Sequence, residues 1–535
     1  MVLPARGPVE SSSLDRRRRG RHAAAALAAV AALGLAGCGD DGAAADAGAD
    51  ALVDLGAFDS PDDFPRDGCE SGAFAGLAAA DVEGIYHLQI DLEGYVYATA
   101  ARVDDLGGGA AGGVISGHDA TRVLVGADDV LIRWADEVGG IRALDLCARD
   151  PDGTVRGHYA RCTASGCYQG TATGKAVVRL AEPEAAGMTL RGEFAGSPGA
   201  PWPVDFGATG VSVNVRVLGD VAYVARYQDG LRIVDVADPA AMTELGHVPL
   251  EYADAGEIWN DVKVTEVAGR RYALMASNLV GVVVVDVTDP AAATIVAHLG
   301  TRPAPGEPIN VHTLFLDGGK AYLANTSLGL EIWDLADPTA PVKLGGFTHP
   351  GATPFSYLHD LYVAGDRAYL NYWDLGMAIV DVADPAATAL VGSFADYGQT
   401  TSHSCWVTQV GPRRIAVHGD EQWDAHVHIV DVTEGTVAFG NGIGEWRTRP
   451  EVSVHNIMAV GDRAYMAHYQ DGVRVLDLSD PTAPREVAHF DTWPGYDRGY
   501  GYSFYEGAIG IDLDTDRGLI YVADSHRGLL VLHLE

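Results

Sequence analysis

Four histidines stand at equivalent places in four consecutive copies of a repeated segment. They are His312, His359, His403 and His455, and Asn260 takes the same place one copy earlier. Neutral imidazoles that meet near a common axis could bind Zn²⁺, Cu²⁺ or Fe²⁺. Alternatively, because side chains on a strand alternate between its two faces, each histidine could bond a polar group of its own repeat. We prefer this structural interpretation, which predicts additive losses on substitution and no effect of a chelator, and we leave the metal unknown.

A second concentration of ligand-type residues lies at 418–426 (HGDEQWDAH), where the loop is longer than its counterparts in the other repeats. Its carboxylates, Asp420, Glu421 and Asp424, are hard oxygen ligands of the kind that bind Ca²⁺. A solvated acidic loop is the preferred interpretation, because unpaired carboxylates are ordinarily exposed to water. The sequence therefore assigns no cofactor, and Ca²⁺ or a transition metal are the candidates.

Aromatic residues gather in the loops that flank the same repeats, and Trp259, Trp373 and Trp446 are the candidates for binding. Aromatic rings beside carboxylates suit a sugar or peptide surface, but aromatic residues in long loops also serve to pack those loops. Both interpretations stay open. A nucleophile elbow, a phosphate-binding loop, a dinucleotide fingerprint and an HExxH motif are all missing from the sequence, which argues against the common hydrolases and nucleotide enzymes.

The element that must position these residues is a segment that is repeated seven times along the chain. Its clearest core is GVRVLDLSDP at 472–481, and related cores recur every 46 to 56 residues. Within each copy Val, Ile, Leu and Tyr alternate with polar residues, and Gly, Asp and Pro interrupt them at short intervals. Four short strands in a repeat of this length predict a propeller blade. The fold class is therefore all-β, with a seven-bladed β-propeller.

The last copy stops at Glu535, directly after its third predicted strand. A missing fourth strand would leave an open sheet edge. The alternating segment MTLRGEF at 188–194 lies just before the first blade and is predicted to supply the outer strand of the last one. The propeller is accordingly assigned to residues 187–535.

The cores resemble the LVIVD repeat of bacterial β-propellers, and the last third of the chain resembles the choice-of-anchor B family of exported proteins. The segments that carry the resemblance are 259–264 (WNDVKV), 455–456 (HN), Tyr469 with 472–481, 490–494 (FDTWP) and 521–532 (YVADSHRGLLVL). The first blade departs from the pattern, with Val213 and Asn214 where other blades have histidine. The resemblance covers roughly residues 205–535. It implies a propeller in an exported protein and no particular activity.

Residues 1–37 have the pattern of a lipoprotein signal peptide. A basic region at 16–21 precedes an apolar run at 23–35, which is too short for an ordinary spanning helix. The sequence LAGC at 35–38 resembles a bacterial lipobox and would make Cys38 the lipidated N-terminus; a plain secretory signal is the alternative. We expect a location at the outer membrane or cell surface, or in the periplasm, with membrane contact through the lipid alone.

Two regions separate the signal from the propeller. Residues 38–68 are rich in Ala, Asp and Gly and predict a disordered tether. Residues 69–186 lack the repeat and predict a small β domain. Its cysteines, whose number and spacing favour two disulfides over a zinc site, are Cys69, Cys147, Cys162 and Cys167. Three pairings are possible, and Cys405 is predicted to be a buried thiol.

The charge of the chain narrows its partners. The formal net charge is −36, and removal of residues 1–37 leaves 31 basic and 71 acidic residues, a net of −40. This excess disfavours nucleic acid and anionic lipid surfaces. The sequence thus predicts a monomeric binding or scaffolding module for a protein or carbohydrate partner. The alternative is an extracellular hydrolase or lyase that uses the repeated histidines or the acidic loop with a bound metal.

Overall fold

The computed structural model describes residues 58–92, 94–135, 140–163, 166–195, 211–354, 356–395, 401–493 and 504–535. The predicted signal peptide and Cys38 lie outside these residues. Strands dominate the described chain. Its helical segments are α1 (Ala79–Val82) and 3-10 turns at Pro61–Asp63, Pro239–Ala241, Ala253–Ala255 and Pro290–Ala292. None of these described helices has the length and apolar character that crossing a membrane requires.

The first domain is an antiparallel sheet of nine strands whose spatial order is β4-β3-β2-β1-β9-β8-β7-β6-β5. The strands are β1 (Gly84–Leu92), β2 (Tyr95–Gly107), β3 (Ala110–Ile115), β4 (His118–Asp119), β5 (Arg122–Val125), β6 (Val130–Ala135), β7 (Ile141–Arg149), β8 (Val155–Thr163) and β9 (Gly166–Ala176). The sheet curves, so that β3 contacts β5. Leu88, Trp134 and Tyr159 are buried in the core that it encloses.

Folded structure begins at an earlier residue of the chain than the sequence predicted. Phe58 and Phe64, which belong to the predicted tether, are buried beside Leu131 and Ala143 of the first domain. Two large aromatic side chains bury enough apolar surface to offset the cost of ordering this short segment. The first domain therefore begins near residue 58 and not at residue 69.

Two disulfides form in the first domain, as predicted. Cys69–Cys147 connects the segment before α1 to β7, and Cys162–Cys167 joins β8 and β9 at directly opposed positions. The structure thereby selects one of the three possible pairings. Cys405 is free and buried, and burial raises the pKa of its thiol, which is typical of an unreactive cysteine.

The rest of the described chain forms the propeller. Two strands come first, β10 (Ala185–Ala186) and β11 (Met188–Phe194). Blades one to five follow as antiparallel meanders of four strands. Blade one contains β12 (Ser212–Leu218), β13 (Val221–Arg226), β14 (Gly230–Asp235) and β15 (Thr243–Val248), and blade two contains β16 (Trp259–Val267), β17 (Arg270–Ser277), β18 (Gly281–Asp286) and β19 (Thr294–Leu299). Blade three contains β20 (Val311–Asp317), β21 (Lys320–Asn325), β22 (Gly329–Asp334) and β23 (Val342–Phe347), and blade four contains β24 (Leu358–Ala364), β25 (Arg367–Tyr372), β26 (Gly376–Asp381) and β27 (Ala389–Phe394). Blade five contains β28 (Ser402–Val410), β29 (Arg413–Asp420), β30 (Val427–Asp431) and β31 (Asn441–Trp446).

Blades six and seven use the two early strands. Blade six comprises β32 (Ile457–Val460), β33 (Arg463–Ala467), β34 (Val473–Asp477) and β35 (Arg485–Phe490), and β10 adds a fifth strand beside β35. Blade seven comprises β36 (Ala508–Asp514), β37 (Leu519–Asp524) and β38 (Gly528–Leu534), and β11 pairs with β38 as its outer strand. The prediction that residues 188–194 close the ring is confirmed.

The repeated core owes its form to turn chemistry. Gly472 has a φ of 75°, and a Cβ at this position would lie 2.1 Å from the carbonyl oxygen of Phe490. Only glycine fits here without strain. At the other end of the strand, Asp477 accepts a hydrogen bond from the backbone NH of Ser479 at 2.8 Å, which ends the strand in a turn.

The inner strands of the seven blades line a central channel. We call the end that holds His359 the upper end and the end that holds Tyr362 the lower end, because the chain passes from one to the other along β24. The loops that precede the inner strands are therefore at the upper end. These are the loops in which the sequence analysis placed the aromatic candidates.

The first domain covers the upper end. His87 Nδ1 donates to the Glu451 carbonyl at 2.5 Å, and Arg449 Nη1 donates to the Val178 carbonyl at 2.5 Å. One continuous apolar cluster contains Ile85, Ala98 and Val177 of the first domain with Tyr469, Trp493 and Phe504 of the propeller. The nine-stranded sheet thus packs on the end of the propeller at which the repeated histidines lie.

Candidate functional site

A bulge at the start of the inner strands turns the histidines toward the channel. Pairing of β24 with β25 shifts register between Leu358 and Asp360, which leaves His359 as the extra residue, and β28 shows the same shift around His403. A bulged residue departs from strict alternation and re-aims its side chain. The alternation on which the structural interpretation was based therefore does not hold at these positions.

The imidazoles of four consecutive blades form one row. Neighbouring ring centroids are 4.1 Å apart for His312 and His359, 4.3 Å for His359 and His403, and 4.3 Å for His403 and His455. Asn260 extends the row, since its Nδ2 donates to His312 Nδ1 at 3.1 Å. None of the four histidines is more than 7 % exposed. The structure thus brings the repeated candidates together in one buried histidine row.

Glu421 reaches the same row from the blade-five loop. Its backbone NH donates to the Thr401 carbonyl at 2.9 Å, which holds the loop inward, and its side chain is fully buried. Glu421 Oε2 lies 3.5 Å from His403 Nε2, and Oε1 lies 3.9 Å from His455 Nε2. The Tyr469 hydroxyl donates to Oε1. Glu421 is therefore part of the channel site and not of a solvated acidic loop.

Some polar atoms of this cluster have hydrogen-bond partners and others have none within the described chain. His455 Nδ1 donates to the Ile509 carbonyl of blade seven at 2.7 Å, and His312 accepts from Asn260 of blade two. In contrast, both ring nitrogens of His359 and of His403 are buried and form no hydrogen bond of normal geometry with any described residue, and the same holds for Glu421 Oε2. Such orphaned buried groups are uncommon and call for an explanation.

Burial fixes the protonation of the cluster. Burial and the neighbouring imidazoles hold the pKa of His359 and of His403 well below the usual histidine range. Burial lowers the pKa of His455 to about 3 and that of His312 to about 4. Burial also raises the pKa of Glu421 to about 8, although the Tyr469 hydrogen bond opposes this shift. At neutral pH the histidines are therefore neutral.

The three tryptophan candidates pack within the protein. Trp259 is fully buried, and its Nε1 donates to Glu257 Oε1 at 2.9 Å. Trp373 borders the histidine row, with its ring centroid 5.2 Å from that of His359. Trp446 packs against the apolar core of blades five and six. These rings therefore build the upper end of the channel and do not present one exposed surface.

The blade-five carboxylates are dispersed among different partners. Asp420 Oδ1 accepts from the backbone NH of His426 at 2.6 Å and lies 3.4 Å from His428 Nε2. Asp424 pairs with Arg447. With Glu421 turned into the channel, the three carboxylates do not surround a common point, so the candidates for a Ca²⁺ site are separated.

The lower end carries an aromatic group that the sequence analysis missed. Ring centroids are 5.0 Å apart for Phe315 and Tyr362 and 4.7 Å apart for Tyr362 and Trp406, and all three side chains remain partly exposed. They occupy one register on blades three to five, three residues after the histidine position. The constant spacing of three residues after the histidine could have revealed this group in the sequence. The bulge, however, obscures which face of the strand these residues occupy.

Charged residues complete the lower end on the neighbouring blades. Lys263 Nζ lies 2.6 Å from each carboxylate oxygen of Asp261, and Arg216 Nη1 donates to the Ile511 carbonyl at 2.8 Å. Burial and the Arg216 charge lower the pKa of Lys263, and Asp261 opposes this shift. Asp512 accepts from the backbone NH of Val217 at 2.7 Å. The lower end therefore has an aromatic side and a charged side.

Comparison with protein families agrees with the repeat. The family model described as "LVIVD repeat" matches residues 209–249, 357–396 and 453–492. The chain carries LVIVD repeats. The three matched segments are blades one, four and six, so the LVIVD repeat here corresponds to one complete blade of four strands. The resemblance to the choice-of-anchor B family stays a prediction.

Solved structures with some similarity include other propellers. The WD40 β-propeller domain of Doa1 is 12 % identical, with 65 % of this chain and 98 % of that chain covered and a TM-score of 0.46. The β-propeller domain of Cps50 (Swd1) from Myceliophteria thermophila is 13 % identical, with coverage of 60 % and 96 % and a TM-score of 0.41. No curated protein matches the chain.

Proposed function

We propose that this protein is an exported, lipid-anchored binding module whose LVIVD propeller recognises an extracytoplasmic protein or carbohydrate partner at the lower end of the channel. One observation carries the proposal. The first domain packs on the upper end, whereas Phe315, Tyr362 and Trp406 form a contiguous aromatic group that is partly exposed at the lower end.

The lower end has the composition of a recognition site. Rigid aromatic rings supply a large contact area at a small entropic cost, and few polar groups beside them fix orientation. Lys263 and Arg216 stand on the two blades that precede the rings, and their cationic groups can attract hydroxyl or carbonyl oxygens. Because the rings lie on inner strands and not on loops, the site is held rigidly before a partner arrives.

Attachment to a membrane follows from the predicted lipobox. Acylation of Cys38 would hold the folded part near a membrane through the acidic residues that follow it, and the net negative charge of the chain keeps it off an anionic lipid surface. Such a location suits a receptor or scaffold that meets partners outside the cytoplasm.

The rival function is cleavage of an extracellular polymer by the histidine row. A polymer would have to reach His359 and His403, which are 1 % and 2 % exposed. The burial of these residues, at an end on which the first domain packs, therefore favours binding at the lower end over polymer cleavage at the upper end.

Binding of the purified mature chain to a glycan array and to a displayed library of extracytoplasmic proteins tests the proposal. Tyr362→Ala and Trp406→Ala should each weaken any interaction found by at least tenfold, and the melting temperature of each variant is measured alongside. Tyr252→Ala, which removes a ring that is 49 % exposed and distant in register from the lower end, is the control. Equal binding by all three variants would place the interaction elsewhere and contradict the proposal.

A further inference from the structure

We propose that His359, His403 and Glu421 form a binding site for one divalent transition-metal ion inside the propeller channel. This site is distinct from the proposed recognition surface, which lies at the other end of the channel. The sequence alone had favoured histidines that bond within their own blades, and the arrangement of the side chains reverses that preference.

The distances fit a metal ion. One nitrogen from each histidine and one oxygen from Glu421 all lie within 4.8 Å of one another. Bonds of 2.0–2.2 Å in a tetrahedral arrangement place two ligand atoms about 3.4 Å apart. His403 Nε2 and Glu421 Oε2 are already 3.5 Å apart, and no pair needs to approach by more than about 1.4 Å.

The burial of the site points to a ligand. His359 and His403 are almost completely buried with all four ring nitrogens unsatisfied, and Glu421 Oε2 has no hydrogen bond within the described chain. A buried polar group without a partner destabilises the folded state. A single cation that accepts lone pairs from all three side chains would satisfy one atom of each at once. The flanking residues His312 and His455 have hydrogen-bond partners, so among the four histidines only the two proposed ligands have both ring nitrogens unsatisfied within the described chain.

Tyr469 supports the proposed ligand set. Its hydroxyl donates to Glu421 Oε1, which leaves Oε2 as the oxygen that faces His403. Partners of this kind orient the residues that bind a metal and are a regular feature of such sites. The loop that carries Glu421 is itself fixed by the backbone hydrogen bond to Thr401. The fold thus directs Glu421 Oε2 toward His403 before an ion binds.

The donor set selects the class of ion. Ca²⁺ takes six to eight oxygen ligands and Mg²⁺ retains several waters, so neither suits two imidazoles and one carboxylate. Imidazole nitrogen with carboxylate oxygen suits Zn²⁺, Fe²⁺, Ni²⁺ or Cu²⁺. The channel therefore fits a first-row transition metal of this group.

Other ligand-type clusters among the described residues are already satisfied. Cys69 and Cys147, which lie near His158, are joined in a disulfide. Glu486 accepts from His489 Nδ1 at 2.9 Å and pairs with Arg474 at 3.3 Å. The channel cluster differs because its ligand atoms are buried and unsatisfied.

Metal titration of the full mature chain tests this inference. Protein purified in the presence of a chelator is dialysed and titrated with Zn²⁺, and Co²⁺ serves as a coloured substitute whose visible spectrum reports the ligands. We expect one ion per chain by elemental analysis, a melting temperature that rises with Zn²⁺, and reversal of that rise by the chelator.

Three substitutions identify the ligands. His359→Gln, His403→Gln and Glu421→Gln preserve side-chain size, and each should weaken Zn²⁺ binding by about 100-fold or more, since even loss of an orienting partner costs 10- to 100-fold. His298→Gln, at an exposed site away from the channel, is the matched control and should bind as the wild type does. Melting of each metal-free variant verifies that it is folded.

Two results would overturn the proposal. One is a wild-type chain that takes up no stoichiometric Zn²⁺ or Co²⁺ and melts at the same temperature with and without metal. The other is unchanged uptake by His403→Gln and Glu421→Gln, which would assign the ion to other residues. Neither result bears on partner binding at the lower end, so the two proposals fail independently.

Discussion

The two ends of the propeller channel are built from the same seven strands and yet carry different chemistry. At the upper end, on which the first domain packs, His359 and His403 are buried, whereas Tyr362 and Trp406 at the lower end, three residues further along the same strands, are partly exposed. Burial removes water, so that polar groups at the upper end depend on one another or on an ion. Exposure leaves the rings at the lower end able to meet a partner. The difference shows that a covering domain, and not the repeat itself, sets what each end can do.

The largest effect is expected from breaking the ring that both ends share. Deletion of residues 187–198 removes β11 and leaves β38 with an unpaired edge, so that blade seven loses its outer strand. We expect loss of cooperative unfolding and aggregation, measured by calorimetry and size-exclusion chromatography. Deletion of residues 39–57, an Ala-rich acidic tract, should change the melting temperature little. Equal stability of the two deletions would show that the ring closes without β11.

A smaller effect, confined to the upper end, is expected from Arg449→Met. Arg449 pairs with Asp471 at 2.5 Å and 3.2 Å, both side chains are buried, and the same guanidinium holds Val178 of the first domain. Removing one partner of a buried ion pair typically costs about 3–5 kcal/mol in the free energy of unfolding. Denaturant titration measures this cost. Hydrogen exchange should increase in β1 and at the upper end before it increases at the lower end.

The control for Arg449 is an exposed ion pair of the same residue types. Arg485 lies 3.3 Å from Asp477, and its side chain is 73 % exposed. Arg485→Met should cost no more than about 1 kcal/mol, because water screens exposed charges. If Arg449→Met were as mild as Arg485→Met, the contact between the domain and the propeller would not depend on the buried pair.

Acid should also act on the upper end. Burial lowers the pKa of His87 to about 3 from 6.5. The unfolded chain therefore binds a proton on this residue below about pH 6.5, while the folded protein does so only near pH 3. Between these values protonation favours the unfolded state, so stability falls as the pH falls, by about 1.4 kcal/mol per pH unit for this one group.

Replacing His87 by Gln isolates that contribution. The amide can still donate to the Glu451 carbonyl but does not titrate. Between pH 6 and pH 4 the slope of the free energy of unfolding against pH should therefore be smaller than in the wild type by the amount that corresponds to about one proton. Denaturant titration at successive pH values gives the slope. Parallel slopes for His87→Gln and the wild type would exclude His87 as the group that senses acid.

The smallest effect on the folded part is expected at Cys38. Cys38→Ala should release the protein from the membrane fraction, because without acylation the chain retains no strong membrane attachment. The melting temperature of the released protein should equal that of the soluble part of the wild type. An intact mass that shows an unmodified N-terminus at a different residue would refute the predicted lipid anchor.

The sequence by itself determined the architecture. The glycine that begins the third strand of most repeats and the aspartate that ends it, represented by Gly472 and Asp477, are required by local backbone geometry, and their period marks each blade. The segment 188–194 was recognisable as the closing strand because its apolar and polar residues alternate and because the last repeat lacks a fourth strand. Four cysteines predicted two disulfides but left their pairing open, because pairing depends on which strands become neighbours.

Only the tertiary structure decided the nature of the channel. The positions of His359 and His403 were evident from the repeat, but a bulge, and not strand alternation, sets the direction of their side chains. Glu421 looked like a surface acid because nothing in its local sequence shows that the loop folds inward. The covering of the upper end by the first domain joins residues more than 300 positions apart, such as His87 and Glu451. Contacts of this range leave no local pattern in a single sequence, because they depend on how two separately folded surfaces fit together.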